Sequence, residues 1–244
     1  PSRGLGDVYK RQVRYSTIFD LDLDRVKEIF KVGLPAALEQ VIFQIGITAF
    51  LILVAFYGTE AYAAYGIGVQ ILSFSFVIGF GFSIAGATLV GQHLGAKNKN
   101  QAKRAGWGAM RLSIVSMTFF GVIIATFAEP LARFMIDNDE VVRLTVIFIW
   151  LLGSMQPLMA IEFSLGGALR GAGDTKTPLA ITLTCLLFIR VFLALIFFLL
   201  DASIEIIFST LLADYIVKGF LYVSRFRSDK WMNVLKIKEV DQQP

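Results

Sequence analysis

The sequence contains few residues of the kinds that bind metals or form disulfides, with one histidine, His93, and one cysteine, Cys185, in 244 residues. A structural zinc site takes several such ligands, so no metal site is predicted. Cys185 lies within an apolar stretch, where a lone thiol acts as a small hydrophobic side chain rather than as half of a disulfide. These absences argue against metalloenzymes and disulfide-rich domains.

The motifs of common enzyme classes are also missing. The sequence contains no His-Glu-x-x-His, no Gly-x-Ser-x-Gly and no paired-Asp motif. The acidic run 137–140 lacks the spacing and the glycine of a calcium loop, and a solvated turn explains it better. We therefore predict neither an enzyme nor a bound cofactor.

Charge is absent from the longest apolar stretch, the 32 residues from Ala61 to Gln92, which contain no Asp, Glu, Lys, Arg or His. About 20 apolar residues are enough for a helix to cross the ~30 Å hydrocarbon core of a bilayer. A soluble amphipathic helix would show a charged face, and a buried strand would be far shorter. The composition, 56% hydrophobic with a mean hydropathy of +0.67, agrees with a membrane protein.

Apolar runs separated by Gly, Pro and charged residues predict six transmembrane helices. The predicted spans are residues 33–56, 61–84, 107–128, 143–166, 178–200 and 203–224. The predicted fold class is therefore an all-α membrane protein, a bundle of six transmembrane helices. We assign residues 1–12 as a non-native leader, 13–32 as a cytoplasmic segment, 33–224 as the bundle and 225–244 as a basic cytoplasmic tail.

Basic residues divide unequally between the two sides of this bundle. Seventeen Lys and Arg residues fall on the side of the termini, whereas only Arg133 and Arg143 fall on the other. By the positive-inside rule, a multi-pass protein of the inner cell membrane with both termini cytoplasmic is predicted. The net charge of +4 is explained by this topology, so no nucleic-acid partner is expected and the lipid bilayer is the expected environment.

Three patches near the predicted cytoplasmic ends of the spans carry a family resemblance. They are Gly33-Leu34-Pro35-Ala36-Ala37-Leu38-Glu39-Gln40, Thr88-Leu89-Val90-Gly91-Gln92-His93-Leu94-Gly95-Ala96 and Gly167-Ala168-Leu169-Arg170-Gly171-Ala172-Gly173-Asp174-Thr175-Lys176-Thr177-Pro178. In the third, glycines permit a tight turn, Asp174 is suited to capping it, and the Gly-Lys-Ser/Thr ending of a phosphate loop is absent. In order and spacing the patches resemble the C-terminal six-helix half of multidrug and toxic compound extrusion (MATE) transporters.

The resemblance implies an antiporter with two six-helix bundles that exports cationic or amphipathic organic compounds in exchange for Na⁺ or H⁺. This chain would supply one bundle, and an N-terminal half would be its missing partner. The sequence departs from the family pattern in three places: Tyr65 and Gly66 replace a His-Gln pair, Phe43 stands where some relatives carry a cation-site acid, and Val191-Phe192 follows Arg190 where proline is common. The ion site of those relatives is therefore not transferred to this chain.

Charged residues within the apolar spans are the first candidates for functional sites, because an ionisable group is unfavourable at mid-bilayer unless it has a partner. Arg190 and Asp214 lie at matching depths on sequential antiparallel spans, about 15–18 Å from the inner surface at 1.5 Å per residue. We interpret them as a structural ion pair. Lys218, one turn from Asp214, is a competing partner.

Glu39 and Glu162 form a second pair of similar depth, and two interpretations stay open for them. They are candidates for cation coupling or substrate binding, or else neutral buried acids that are hydrogen-bonded to a neighbour such as Gln40. Further polar candidates for coupling or substrate binding are Gln40, Gln44, Gln70 and Gln156, the last beside Pro157, which should kink the fourth span.

These features leave three functions open. The first is half of a cation-coupled exporter of small organic compounds. The second is a lipid-linked oligosaccharide flippase of the same broad superfamily, which would need a larger basic cavity. The third is a noncatalytic membrane scaffold.

Overall fold

Nine α-helices, a π-helical stretch and a 3₁₀ turn make up residues 23–234, the part of the chain that the computed structural model describes. The helices are α1 (Leu23–Ala55), α2 (Thr59–Gly95), α3 (Lys99–Thr126), α4 (Ala128–Met135), α5 (Asp139–Ser154), α6 (Gln156–Gly171), α7 (Lys176–Thr184), α8 (Phe192–Leu199) and α9 (Ile204–Arg227). The π-helical stretch Cys185–Val191 joins α7 to α8, and the turn Lys230–Asn233 follows α9.

The predicted fold class is confirmed. Five helical segments are long and apolar enough to cross a membrane, and the pair α5 and α6, bent by 53°, makes a sixth span when taken as one. Pro157 lies in the first turn of α6, where its missing N–H is tolerated, so the predicted kink is a break between two helices. The leader 1–12, most of the segment 13–32 and the end of the tail lie outside the described residues.

Several helices are longer than the apolar windows from which they were predicted. α1 begins at Leu23 rather than at residue 33, α2 continues to Gly95 rather than to residue 84, and α3 begins at Lys99 rather than at residue 107. Polar residues end an apolar window without ending a helix, because the helical backbone satisfies its own hydrogen bonds in water as well as in lipid. α3 starts where the Asn98 side chain accepts a hydrogen bond from the Gln101 N–H at 3.1 Å.

Contacts between distant residues occur at both ends of the bundle: the basic end, which carries most of the Lys and Arg, and the acidic end, which carries Glu60, Glu129 and the run 137–140. At the basic end, Lys99 donates a hydrogen bond to Asn233 and Arg225 forms an ion pair with Asp174 at 2.6 Å. At the acidic end, the Tyr57 hydroxyl donates a hydrogen bond to the Ala202 carbonyl oxygen at 2.8 Å. The Gly173 backbone has a φ of +79° in the basic-end turn, which explains a glycine there.

Helices α2 and α6 pack backbone against backbone through small residues. Ser83 and Ala87 on α2 face Gly167 and Gly171 on α6, each pair four residues apart. A Cβ added at Gly171 would lie far inside van der Waals contact with the Ala87 carbonyl oxygen, and one at Gly167 would collide with the Ser83 backbone. Small residues at this spacing let membrane helices approach closely where no hydrophobic effect drives them together.

We expect Gly171→Ala to destabilise the bundle by about 3 kcal/mol, because its methyl group meets backbone and cannot be relieved by a side-chain rotation. The measurement is reversible unfolding in mixed detergent micelles, followed by circular dichroism. Gly81→Ala on α2 is the matched control, since a Cβ there meets nothing within 4 Å. Equal stability of the two variants would show that α2 and α6 do not pack this closely.

Candidate functional site

A layer of buried charges separates two apolar cores. On α9, Phe208 and Leu211 belong to the core nearer the acidic end, and Tyr222 and Phe226 belong to the core nearer the basic end. Between them lie Asp214 and Lys218, and both are fully buried. The layer is therefore near the middle of the span.

Arg190 and Asp214 meet in this layer, with Arg190 Nη2 2.5 Å from Asp214 Oδ2. Lys218 approaches the same oxygen at 3.3 Å, so the two basic residues share one carboxylate rather than compete for it. Arg190 Nη2, Lys218 Nζ and both Asp214 carboxylate oxygens have no partner with hydrogen-bond geometry among the described residues, so charge holds these three side chains together. Its burial makes the Coulomb attraction strong and the loss of any one member unfavourable.

The π-helical stretch positions Arg190. Its wider turn occupies Cys185–Val191, and Arg190 is buried, with only 4% of the residue exposed. The Arg190 guanidinium carbon also lies 5.3 Å from the centre of the Tyr215 ring, within cation–π range. Short π-helical insertions within α-helices frequently mark functional sites.

Lys218 extends the cluster to Glu162, whose Oε1 lies 3.4 Å from the Lys218 ammonium nitrogen. Glu162 is half-buried, with 20% of its side chain exposed, while the other members of the cluster are enclosed. A continuous row of contacts therefore runs from Arg190 through Asp214 and Lys218 to Glu162. Glu162 is the member that meets open space.

Glu39 has a partner that the sequence reading did not identify. Arg170 Nη1 donates hydrogen bonds to both carboxylate oxygens of Glu39, at 2.9 and 3.1 Å. The Thr182 hydroxyl donates a third at 3.3 Å, and Arg170 Nη2 also donates to the Ser83 hydroxyl. The neighbour proposed as partner, Gln40, forms none of these bonds.

Glu39 and Glu162 open onto one cavity of about 90 Å³. Two acids, Glu39 and Glu162, and one base, Arg170, line it, so the acids outnumber the bases in the wall. The rest of the wall is mostly aromatic, and it consists of Gln40, Phe43, Phe80, Phe163, Thr182, Tyr215 and Tyr222. The structure therefore brings together two of the predicted acids and Gln40.

The other three glutamines do not line this cavity. Gln44 and Gln70 are exposed on α1 and α2. Gln156 is fully buried at the start of α6, where its Oε1 accepts a hydrogen bond from the Ser75 hydroxyl at 2.6 Å. Gln156 thus lies in the joint between α2 and the bent pair, away from the cavity.

Arg170 was predicted to lie in a loop, because it stands at the start of the glycine-rich turn. One signal could have found it: Glu162 and Arg170 are eight residues apart, a spacing that places both on one face of a helix. Thr182 carried no signal in the sequence, since isolated threonines are ordinary in transmembrane helices.

We expect Asp214→Leu to destabilise the bundle by about 3–5 kcal/mol, because it leaves two buried cations with one fewer carboxylate. Arg190→Leu should lose less, since Lys218 still neutralises Asp214. The double variant should be more stable than the sum of the single losses, which unfolding in mixed micelles measures as a coupling energy. Arg143→Leu, whose ion pairs are solvent-exposed, is the control, and strict additivity of the double variant would contradict the pairing.

Comparisons with known proteins agree with this architecture. The MatE family model matches residues 35–196. A probable multidrug resistance protein NorM from Thermotoga maritima is 35% identical over 214 residues, covering 84% of this chain and 44% of its own length. Another from Mannheimia succiniciproducens is 30% identical over 161 residues, covering 66% of this chain and 34% of that protein. The chain thus spans less than half the length of these curated relatives.

Solved structures show the same fold at low sequence identity. The MATE transporter ClbM in complex with Rb⁺ superposes with a TM-score of 0.80 at 20% identity, over 86% of this chain and 50% of that one. The Vibrio cholerae MATE transporter VcmN in its bent form gives 0.78 at 21% identity, over 93% and 53%. Because the family model covers well over half of the chain, the protein belongs to the MatE family of membrane transporters.

Proposed function

We propose that this chain is the C-terminal six-helix half of a cation-coupled antiporter, which exports cationic or amphipathic organic compounds in exchange for Na⁺ or H⁺. The observation that carries the proposal is the convergence of Glu39 and Glu162, from two different helices, on one cavity. Among the described residues, the cavity wall carries two acids and one base, Arg170, while Lys218 lies against Glu162 without lining the cavity. Such a wall attracts a cation.

The size of the cavity favours the coupling ion over the organic substrate as its occupant. A volume of about 90 Å³ holds a few water molecules or a partly hydrated ion. Pockets for drug-sized ligands are several times larger, about 300–1,000 Å³. The substrate site must then be completed by surfaces outside this bundle.

Polar residues on the outer faces of α1 and α2 support a partner half. Gln40, Gln44 and Thr48 recur every four residues along α1 and are exposed, and Gln70 is exposed on α2. Polar groups facing hydrocarbon in mid-span are unfavourable. The missing N-terminal bundle, which would face these helices across the substrate path, removes that cost.

In this arrangement the coupling ion competes with an internal cation for the same carboxylate. Glu39 and Glu162 already have internal cations, Arg170 and Lys218, within 3.4 Å. A proton or a sodium ion that joins either carboxylate weakens its hold on that internal cation. The bound ion thereby changes the charge balance of the buried layer, and this gives the cation a means of shifting the helices that carry those residues.

The names of relatives support the same function. The similar proteins of Thermotoga and Mannheimia are described as probable multidrug resistance proteins, and ClbM was solved with a bound Rb⁺.

A lipid-linked oligosaccharide flippase would need a larger and basic cavity. A noncatalytic scaffold would have no use for acids at an internal cavity. The basic end of the bundle supports a location in the inner membrane with both termini cytoplasmic.

In the complete transporter, Glu39→Gln and Glu162→Gln should each abolish export driven by a cation gradient, because Gln keeps the shape but neither binds a cation as strongly nor releases a proton. Efflux of a fluorescent lipophilic cation from proteoliposomes is the measurement. Glu60→Gln, an exposed acid at the start of α2, is the control. Wild-type coupling in both cavity variants would leave these residues with a structural role only.

The 244-residue chain alone should not catalyse coupled export, because its cavity is too small for an organic substrate. The same efflux assay with vesicles that contain only this chain tests the expectation. Efflux in that preparation, with the chain shown to be monomeric by cross-linking, would overturn the half-transporter proposal. If efflux came from assembled pairs, a second copy of this chain would take the place of the missing half.

A further inference from the structure

A basic groove lies on α3 at the basic end of the bundle, away from the charge layer. It is lined by Asn100, Lys103, Arg104, Trp107, Gly108 and Arg111. Its members recur at three- and four-residue spacing, so they share one face of the helix over about three turns. Neither the acids nor the cavity of the proposed coupling site belong to it.

The positive charge of this groove is only partly neutralised. Lys103 forms an ion pair with Asp229 at 2.7 Å. Arg104 and Arg111 are exposed, and within residues 23–234 no acidic side chain pairs with either. The groove therefore presents two guanidinium groups, each suited to bidentate binding of a phosphate.

The depth of the groove places it at the boundary between water and lipid. Arg111 is the last charged residue of α3, and the exposed residues that follow on the helix include Leu112, Val115 and Phe119. Trp107, half-buried against Phe226 in an edge-to-face contact, is the kind of side chain that is enriched at membrane interfaces. A headgroup in the groove would have its acyl chains beside an apolar helix surface.

Gly108 supplies the space for a headgroup. A Cβ at this position would meet nothing within 4 Å, so the helix surface between Arg104 and Arg111 is open. At 1.5 Å per residue the two arginines start about 10 Å apart along the helix, and their long side chains can reach toward a common point above Gly108.

We propose that this groove binds the phosphate of an anionic phospholipid, through Arg104 and Arg111 with Trp107 beside the glycerol region. The lipid tethers the basic end of α3 to the anionic leaflet. The site is independent of the proposed transport function. Charge complementarity, interfacial depth and the apolar track below the groove together select a lipid over a soluble anion.

Trp107 itself provides the readout. The 244-residue chain is reconstituted into phosphatidylcholine vesicles that contain a minor fraction of either brominated phosphatidylglycerol or brominated phosphatidylcholine, and tryptophan quenching is measured. The Trp107 signal is the difference between the parent and Trp107→Phe. Trp150 lies toward the acidic end and Trp231 is fully buried, so both persist in each sample as a common background.

We expect brominated phosphatidylglycerol to quench Trp107 several-fold more strongly than brominated phosphatidylcholine at equal mole fraction. Arg104→Gln with Arg111→Gln should bring quenching by the two lipids close to equal, because both guanidinium groups that attract the anionic headgroup are removed. The matched control is Arg227→Gln with Lys230→Gln, which removes two exposed positive charges from the same end outside the groove and should keep most of the selectivity.

Three results would overturn the proposal. One is equal quenching by the two lipids in the parent chain. Another is an equal loss of selectivity in the groove variant and in the control, which would mean that only the general surface charge attracts anionic lipid. Relief of quenching by millimolar inorganic phosphate would also contradict it, since the groove would then take a free anion.

Discussion

The arrangement of this bundle depends on the high free energy of an unpaired charge in hydrocarbon. Three acids, Glu39, Glu162 and Asp214, stand against three bases, Arg170, Arg190 and Lys218, in contacts that join α1, α6, α9 and the π-helical stretch. Burial of apolar side chains adds little here, because lipid and protein are similarly apolar. The ionic contacts therefore act beside the close packing of α2 on α6 in fixing the register of the helices.

The number of spans could be predicted from the sequence, because it follows from counting apolar residues along a helix. Arg190 and Asp214 were expected at one depth, and the structure places their side chains in contact. Helices α1, α2 and α3 extend beyond their predicted spans, because an apolar window marks where lipid begins and not where a helix stops. The π-helical stretch at Cys185–Val191 has no signature in composition or periodicity.

The pairing of Glu39 with Arg170 could not be predicted from the local sequence. Arg170 is 131 residues away in sequence, and only the close approach of α6 to α2 brings its guanidinium inward beside Ser83 and Glu39. That approach itself depends on Gly167 and Gly171, which the sequence reading treated only as turn residues. Similarly, polar residues within spans could be recognised as unusual, but which way Gln44, Gln70 and Gln156 face is decided by packing.

The charge layer and the cavity are physically one system, because Glu162 belongs to both. A change in the charge of Glu162 acts first on Lys218, which lies 3.4 Å away, and then on Asp214, which Lys218 shares with Arg190. Arg190 is held in the π-helical stretch, where the regular α-helical hydrogen bonding of its span is already interrupted. The row of charges therefore leads from Glu162, the partly open acid of the layer, to the π-helical stretch that interrupts the α-helical pattern of its span.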